Sequence, residues 1–127
     1  MECCIASQAL LPFAAIHAGG RGKGTFVDGF QGGVKIALGT DAGVDPHGQN
    51  AREFELMVTC GGMSPMQAIQ AGTMNAATLI GMDHDVGSVE TGKFADLVAV
   101  PGNPLADITT LQHPAFVMKG GEVVRAP

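Results

Sequence analysis

Along the chain, apolar and polar positions change rhythm more than once. Val34-Lys35-Ile36-Ala37-Leu38 is a short, nearly continuous apolar run, and Gly39 and Thr40 end it without bulk. So little alternation predicts a strand covered on both faces, the usual state of a strand in a parallel sheet. Downstream, apolar residues recur at helical spacing. Asn50 and Glu53 occupy the N-cap and capping-box positions of a helix whose Phe54, Met57 and Val58 share a face, and Gly61-Gly62 ends it. Ser64-Pro65-Met66-Gln67 signals another start: a Ser cap, Pro at the first helical position, Gln at the return position. That helix ends near Gly72. Thr73 or Asn75 caps the next, which runs through Ala76, Ala77, Leu79 and Ile80 to Gly81. The Met residues of this region read as core filler.

From Met82 onward, turns and strands replace helices. Gly87-Ser88 and Glu90-Thr91-Gly92-Lys93 are turns, and Leu97 to Val100 is an apolar strand that Pro101-Gly102-Asn103-Pro104 stops. Ala115 to Lys119, Gly120-Gly121 and Glu122 to Arg125 read as a hairpin with a two-residue turn. Before Val34 the pattern is less decided. Glu2 to Ala18 suits one helix, although Pro12 stands against its continuity. Thr25 to Gln31 suits the last turns of a helix leading into the apolar strand. Between them, Gly19-Gly20-Arg21-Gly22-Lys23-Gly24 invites a phosphate-loop reading. That loop needs a Gly where His17 stands and a hydroxyl where Gly24 stands, so the segment is read as a connector.

Composition narrows the class. With 127 residues, 46% hydrophobic and 15% charged, the chain can bury a core and is globular, not disordered. A net charge of −5 argues against nucleic acid or an anionic membrane as partner, since both select a basic surface. Cys3, Cys4 and Cys60 lack metal-ligand spacing and read as reduced thiols, which places the chain in the cytoplasm. The apolar start from Ile5 to Ala18 has no basic leader, follows Glu2, and is broken by Ser7, Gln8 and Pro12, so it is not read as a signal peptide. No run reaches the roughly 18 apolar residues of a spanning helix.

The candidate chemistry sits at the end of the apolar strand. Asp41 lies just past its carboxyl end, where parallel sheets place their active groups, and Ala42 and Gly43 leave room beside it. Taken alone, an Asp in that place is first of all a turn or cap residue. The whole stretch "GVKIALGTDAGVDPHGQN", however, resembles the eighth strand and following loop of the amidohydrolase superfamily. It is closest to the metal-dependent imidazolonepropionase-like and Xaa-Pro dipeptidase-like branch. The resemblance continues through "NAREFELMVTCGGMSPMQAIQAGTMNAATLIG" and "GSVETGKFADLVAVPGNPL" to "VMKGGEVV", so it covers Gly33 to Arg125.

The resemblance implies an α/β fold. Residues 1–82 would be the C-terminal part of a (β/α)8 TIM-like barrel, with the eighth strand at 34–38 and closing helices after it. Residues 83–127 would be the C-terminal strands of a small β-sandwich. Residues 1–24 match nothing the family places there. A full barrel takes about 250 residues. The chain is therefore expected to be the C-terminal portion of a larger enzyme, or a gene fragment, with its strand edges paired to another copy or to the missing N-terminal part.

It also implies a metal-dependent hydrolase of carbon–nitrogen bonds acting on a small-molecule amide or dipeptide. Similar enzymes hold one or two divalent ions, zinc foremost. Their ligands are a His-x-His pair on the first strand, often a carboxylated Lys, two further His, and one Asp on the eighth strand. Asp41 matches that Asp, and the match gives it two roles: metal ligand, and the catalytic group that takes a proton from metal-bound water and passes it to the leaving nitrogen. His47, in the polar loop beyond, is the substrate-binding candidate; an exposed loop His is the equal alternative. His17, His84 and His113 match no ligand position, and the latter two read as surface residues. Lys93 and Lys119 read as solubilising turn residues. One carboxylate cannot hold zinc, which takes about four ligands. The isolated chain is thus expected to bind metal poorly and to be inactive. The alternative is an inert piece serving as a structural or interaction module. A serine hydrolase is disfavoured, because the Gly-x-Ser-x-Gly elbow is absent.

Overall fold

The computed structural model describes residues 6–10, 13–17, 23–40 and 47–127, with side chains from residue 26 onward. Of the single helix expected over Glu2 to Ala18, the described residues, 6–10 and 13–17, are not helical. They form strands β1 (Ala6–Leu10) and β2 (Phe13–His17), antiparallel with Leu10 opposite Phe13. Pro12, between them, has no amide to give a helix and would clash with the preceding turn. Helix α1 (Lys23–Gln31) follows, and the chain returns in β3 (Lys35–Leu38), parallel to β2 with Phe13 opposite Lys35. The sheet order is β1-β2-β3. The strand of interest is therefore not alone. It belongs to a parallel crossover unit, β2-α1-β3, that the sequence pattern did not disclose.

Strand β3 begins one residue later than the apolar run because Val34 still belongs to the end of α1. The Val34 amide donates to the Gly29 carbonyl at 3.0 Å and the Gly33 amide to that of Phe30 at 3.0 Å, with Gly33 at φ 84°. These paired bonds around a left-handed residue are the Schellman closure, and only glycine takes that φ without strain. Ile36 and Ala37 are 2% and 1% exposed. Adjacent strand residues point to opposite faces, so β3 is covered on both sides, as its apolar run predicts.

Three helices follow, α2 (Arg52–Thr59), α3 (Pro65–Gly72) and α4 (Met74–Leu79); α3 and α4 lie against β3, and α2 packs on α3. Helix α3 starts as expected. The Ser64 amide donates to Gln67 Oε1 at 2.9 Å, the Gln67 amide donates to Ser64 Oγ at 3.3 Å, and Pro65 opens the helix. The other two start differently. Ala51, not Asn50, holds the N-cap position of α2, and no side chain caps it. The Arg52 and Glu53 amides donate to the Gln49 and Asn50 carbonyls, so backbone closes the first turn. Glu53 does not return to the cap; it is buried at 5% exposure. Thr73 holds the N-cap position of α4, as one of the two expected candidates, but its side chain does not cap: its hydroxyl donates back to the Ile69 carbonyl at 2.7 Å. Asn75 lies inside α4.

The core joins Phe26, Ile36, Met57, Cys60, Met63, Ala68 and Ala71, with Phe30, Leu38 and Phe54 packed around it. Met57 is fully buried, which fits its reading as core filler. Phe26 and Phe30, one turn apart on α1, lie stacked with centroids 6.3 Å apart. Gly61 touches this centre directly. A Cβ there would enter the Phe26 ring and come within 2.5 Å of the Met57 carbonyl oxygen. One expectation fails in the core: Cys60 is disulfide-bonded rather than a free thiol, to a partner outside the described residues.

The remainder forms an antiparallel sheet of order β4-β5-β6, from β4 (Leu97–Ala99), β5 (Phe116–Lys119) and β6 (Glu122–Arg125). The expected hairpin is present. Gly120 and Gly121 have φ 57° and 83°, the double left-handed turn that suits strand twist. Its tip is held by the Gly120 amide, which donates to Asp96 Oδ1 at 2.6 Å. A 3-10 turn, Ile108–Gln112, was not foreseen. It buries Ile108, and Gln112 Nε2 donates to Glu55 Oε2 of α2 at 2.8 Å. Lys93 is no mere solubiliser. Its Nζ donates to the Asp83 carbonyl and Ser88 Oγ, both at 2.7 Å, and to the Val86 carbonyl at 3.3 Å, pinning the turn before β4. Among the described residues, no helix is long and apolar enough to cross a membrane.

Candidate functional site

Strand β3 delivers the loop of interest. It ends at Leu38, and Gly39 and Thr40 continue as irregular chain. Asp41, the expected ligand and catalyst, lies with 42–46 outside the described residues. The chain resumes at His47, whose side chain is exposed in a turn. His84 and His113 are exposed as well.

What the structure fixes is the frame on either side of the loop. Asn50 Nδ2 donates to Thr40 Oγ1 at 2.9 Å, and Asn50 Oδ1 accepts from the Gly48 amide at 3.3 Å. One side chain thus ties the residue before Asp41 to the chain that leads into α2. Deeper in, the half-buried Asn75 Nδ2 donates to the Ile36 carbonyl of β3 at 2.8 Å. Asn50 reads from sequence as a helix cap, and Asn75 as one of two cap candidates beside Thr73. The error has a physical source. A cap signal requires only a short polar side chain before an apolar run, and an amide that can cap a helix can equally bond a hydroxyl or carbonyl far along the chain. No feature of the sequence distinguishes the two uses.

A perturbed carboxyl lies away from this frame. The Thr109 hydroxyl and backbone amide both donate to Asp107 and hold its carboxyl below its ordinary value, against a weaker opposing push from burial. This is the cap of the 3-10 turn. Among the described residues, no group of three or more His, Cys, Asp or Glu is placed to hold a metal ion. Protein zinc sites use about four donors, so the described residues do not fit a metal centre by themselves. What they supply is the backbone on either side of 41–46, with Thr40 and Asn50 bonded to each other and His47 exposed.

Residues 17–124 match the sequence profile described as the amidohydrolase family. Ochratoxinase from Aspergillus niger is 41% identical over 99 residues, which is 75% of this chain and 20% of that protein. Imidazolonepropionase from Geobacillus kaustophilus is 39% identical over 97 residues, 72% of this chain and 23% of that protein. Among solved structures, a Xaa-Pro dipeptidase crystallised with methionine in its active site superposes with a TM-score of 0.78. It is 47% identical, over 82% of this chain and 25% of that one. The chain thus spans about a fifth to a quarter of the length of the relatives it matches.

Proposed function

The chain belongs to the amidohydrolase family, and from that premise we propose that it forms part of a metal-dependent hydrolase of carbon–nitrogen bonds acting on a small amide or dipeptide. What supports this reading is the family match across 17–124, together with the sequence position of Asp41 three residues after the end of β3, where the resemblance implies a metal-binding carboxylate. Asp41 is proposed as one ligand of a divalent metal, zinc first, and as the group that moves the proton. When bound, the metal supplies an acidified water and a polarised carbonyl.

This chain's own contribution is to place things. Strand β3, three residues before Asp41 in sequence, is buried on both faces at Ile36 and Ala37. The Asn50–Thr40 bond closes the base of the loop, and His47 stands at its far side, where we assign it to substrate contact. A short carboxylate suits the proton transfer, because Asp is fixed close to its strand, whereas Glu would reach past it. The further donors, a His-x-His pair above all, would come from a barrel wall supplied by another part of the enzyme, since this chain's histidines at 17, 47, 84 and 113 include no such pair. The division at residue 82, between barrel and sandwich parts, is part of the same proposal.

Metal analysis by mass spectrometry on the purified 127-residue chain tests this directly. The proposal expects well under one equivalent of zinc and no dipeptide hydrolysis. A full metal complement in the chain alone would overturn it, since one carboxylate cannot retain the ion.

A further inference from the structure

We infer that Asn75 is a positioning residue: its amide, bonded to the Ile36 carbonyl, sets where β3 delivers the loop that starts at Thr40. The inference rests on the functional reading above for its purpose, but not for its geometry. The bond is 2.8 Å long, half-buried, and links residues 39 apart in sequence. Helix α4, which carries Asn75, has six residues and no side-chain cap. A helix that short does not hold itself and takes its position from what it touches.

The surroundings leave α4 little freedom. On one side the corner between α3 and α4 closes on the end of β3. A Cβ at Gly72 would lie 2.6 Å from Phe54 Cζ and 3.3 Å from Leu38 Cδ2. On the other side the Gly87 turn presses on α4, where a Cβ would lie 2.7 Å from that of Ala77 and 3.3 Å from Met74 Cα. Asn75 is therefore presented to β3 from a fixed support. Its neighbours Ala76, Ala77 and Leu79 show what packing alone asks of this helix: small or apolar side chains. A half-buried amide costs free energy unless bonded, and what it adds in return is direction. Ile36 is 2% exposed and stands four residues before Thr40. A shift of the strand at Ile36 is carried along its extended backbone to the loop. Displacements of about 1 Å at a reacting group cost on the order of 10²-fold in rate, so a bond that pins the strand axially bears on the chemistry without touching it.

The test uses nuclear magnetic resonance on the full chain, with no metal and no substrate. In the wild type, one Asn75 side-chain amide proton is expected to exchange more slowly than those of the exposed Asn50 and Asn103. Asn75→Asp keeps the shape but offers no donor. It is expected to move the amide resonances of Gly39, Thr40 and Asp41 and to speed β3 amide exchange about fivefold, with the β5–β6 hairpin unchanged. Asn75→Gln retains a donor and is expected to restore part of the shift. The inference is overturned if Asn75→Asp lowers the melting temperature while leaving Gly39 to Asp41 where they were. It is equally overturned if the Gln variant is displaced as far as the Asp variant, or if the wild-type Asn75 amide exchanges as fast as that of Asn103. If Asn75→Asp does not fold, the wild-type exchange and the Gln variant decide. Asp41→Asn separates this from the functional reading: it should remove metal and proton chemistry in a complete enzyme, yet leave Asn75 exchange unchanged.

Discussion

Gly61→Ala probes the packing logic most sharply. Gly61 follows α2 and sits against the most buried side chains of the fold, where Phe26 is 1% and Met57 0% exposed. An added methyl meets two obstacles of different kinds. The Phe26 ring is 1% exposed and has no solvent side to turn toward. The Met57 carbonyl oxygen, 2.5 Å from the new Cβ, is backbone and accepts from the Met63 amide at 3.1 Å. Neither can step aside cheaply. Overpacking of this kind costs about 1–3 kcal/mol, and the backbone contact argues for the upper end. The lower entropy of the unfolded alanine chain offsets about 0.4–1 kcal/mol, leaving a net loss of about 2 kcal/mol. For a chain of this length that lowers the melting temperature by about 7–8 °C. Thermal unfolding followed by far-ultraviolet circular dichroism measures it. Gly72→Ala is the internal control. Its nearest obstacles are side-chain atoms only, Phe54 Cζ at 2.6 Å and Leu38 Cδ2 at 3.3 Å, with no backbone oxygen among them, so its loss should be smaller, about 1 kcal/mol. Phe26→Leu combined with Gly61→Ala should cost less than the sum of the two, since each relieves the other at the ring. A Gly61→Ala variant within about 0.5 kcal/mol of wild type would refute the account, because ordinary surface changes fall in that range.

Other consequences are more local. Ser64→Ala removes the acceptor of the Gln67 amide and should cost about 1 kcal/mol by chemical denaturation, with no effect on the distant β5–β6 hairpin. Lys93→Met leaves two carbonyls and the Ser88 hydroxyl without their donor. It should cost about 1–2 kcal/mol, with amide exchange rising first over 83–88. Asp107 should titrate below its ordinary 3.8. Its folded value is depressed, so its contribution is complete above the unfolded value and is lost as pH falls through the folded one. Thr109→Val, read by carboxyl chemical shifts, should return the midpoint toward 3.8 and narrow that acid window.

Much of this fold was legible in the chain, and the failures are instructive. The both-face burial of β3 followed from an apolar run without alternation. The α3 start and the β5–β6 hairpin followed from residues whose local chemistry admits few alternatives: Ser-Pro-x-Gln and Gly-Gly. These signals act over a few residues, so no distant contact could override them. The signals that failed had long-range competitors. Asn50 and Asn75 spend their amides on Thr40 and Ile36 instead of on helix starts. Lys93 reads as a surface cation until the turn before it curls three oxygens around its ammonium. Glu2 to Ala18 carries apolar residues that suit helix or strand, and pairing with β3 decided in favour of strand. Asp41 and its metal role came from the family resemblance, since one carboxylate after one strand carries too little information to imply a cage of donors from elsewhere.

The central claim is that Asp41, delivered by β3, serves a carbon–nitrogen hydrolase. The most direct measurement grafts residues 33–125 in place of the matching segment of the Xaa-Pro dipeptidase and compares dipeptide hydrolysis with Asp41 intact and as Asp41→Asn. The account predicts measurable hydrolysis with the aspartate and a loss of about 10²- to 10⁴-fold with asparagine, the range of a displaced proton-transfer group. Equal activity in the two chimeras would contradict it.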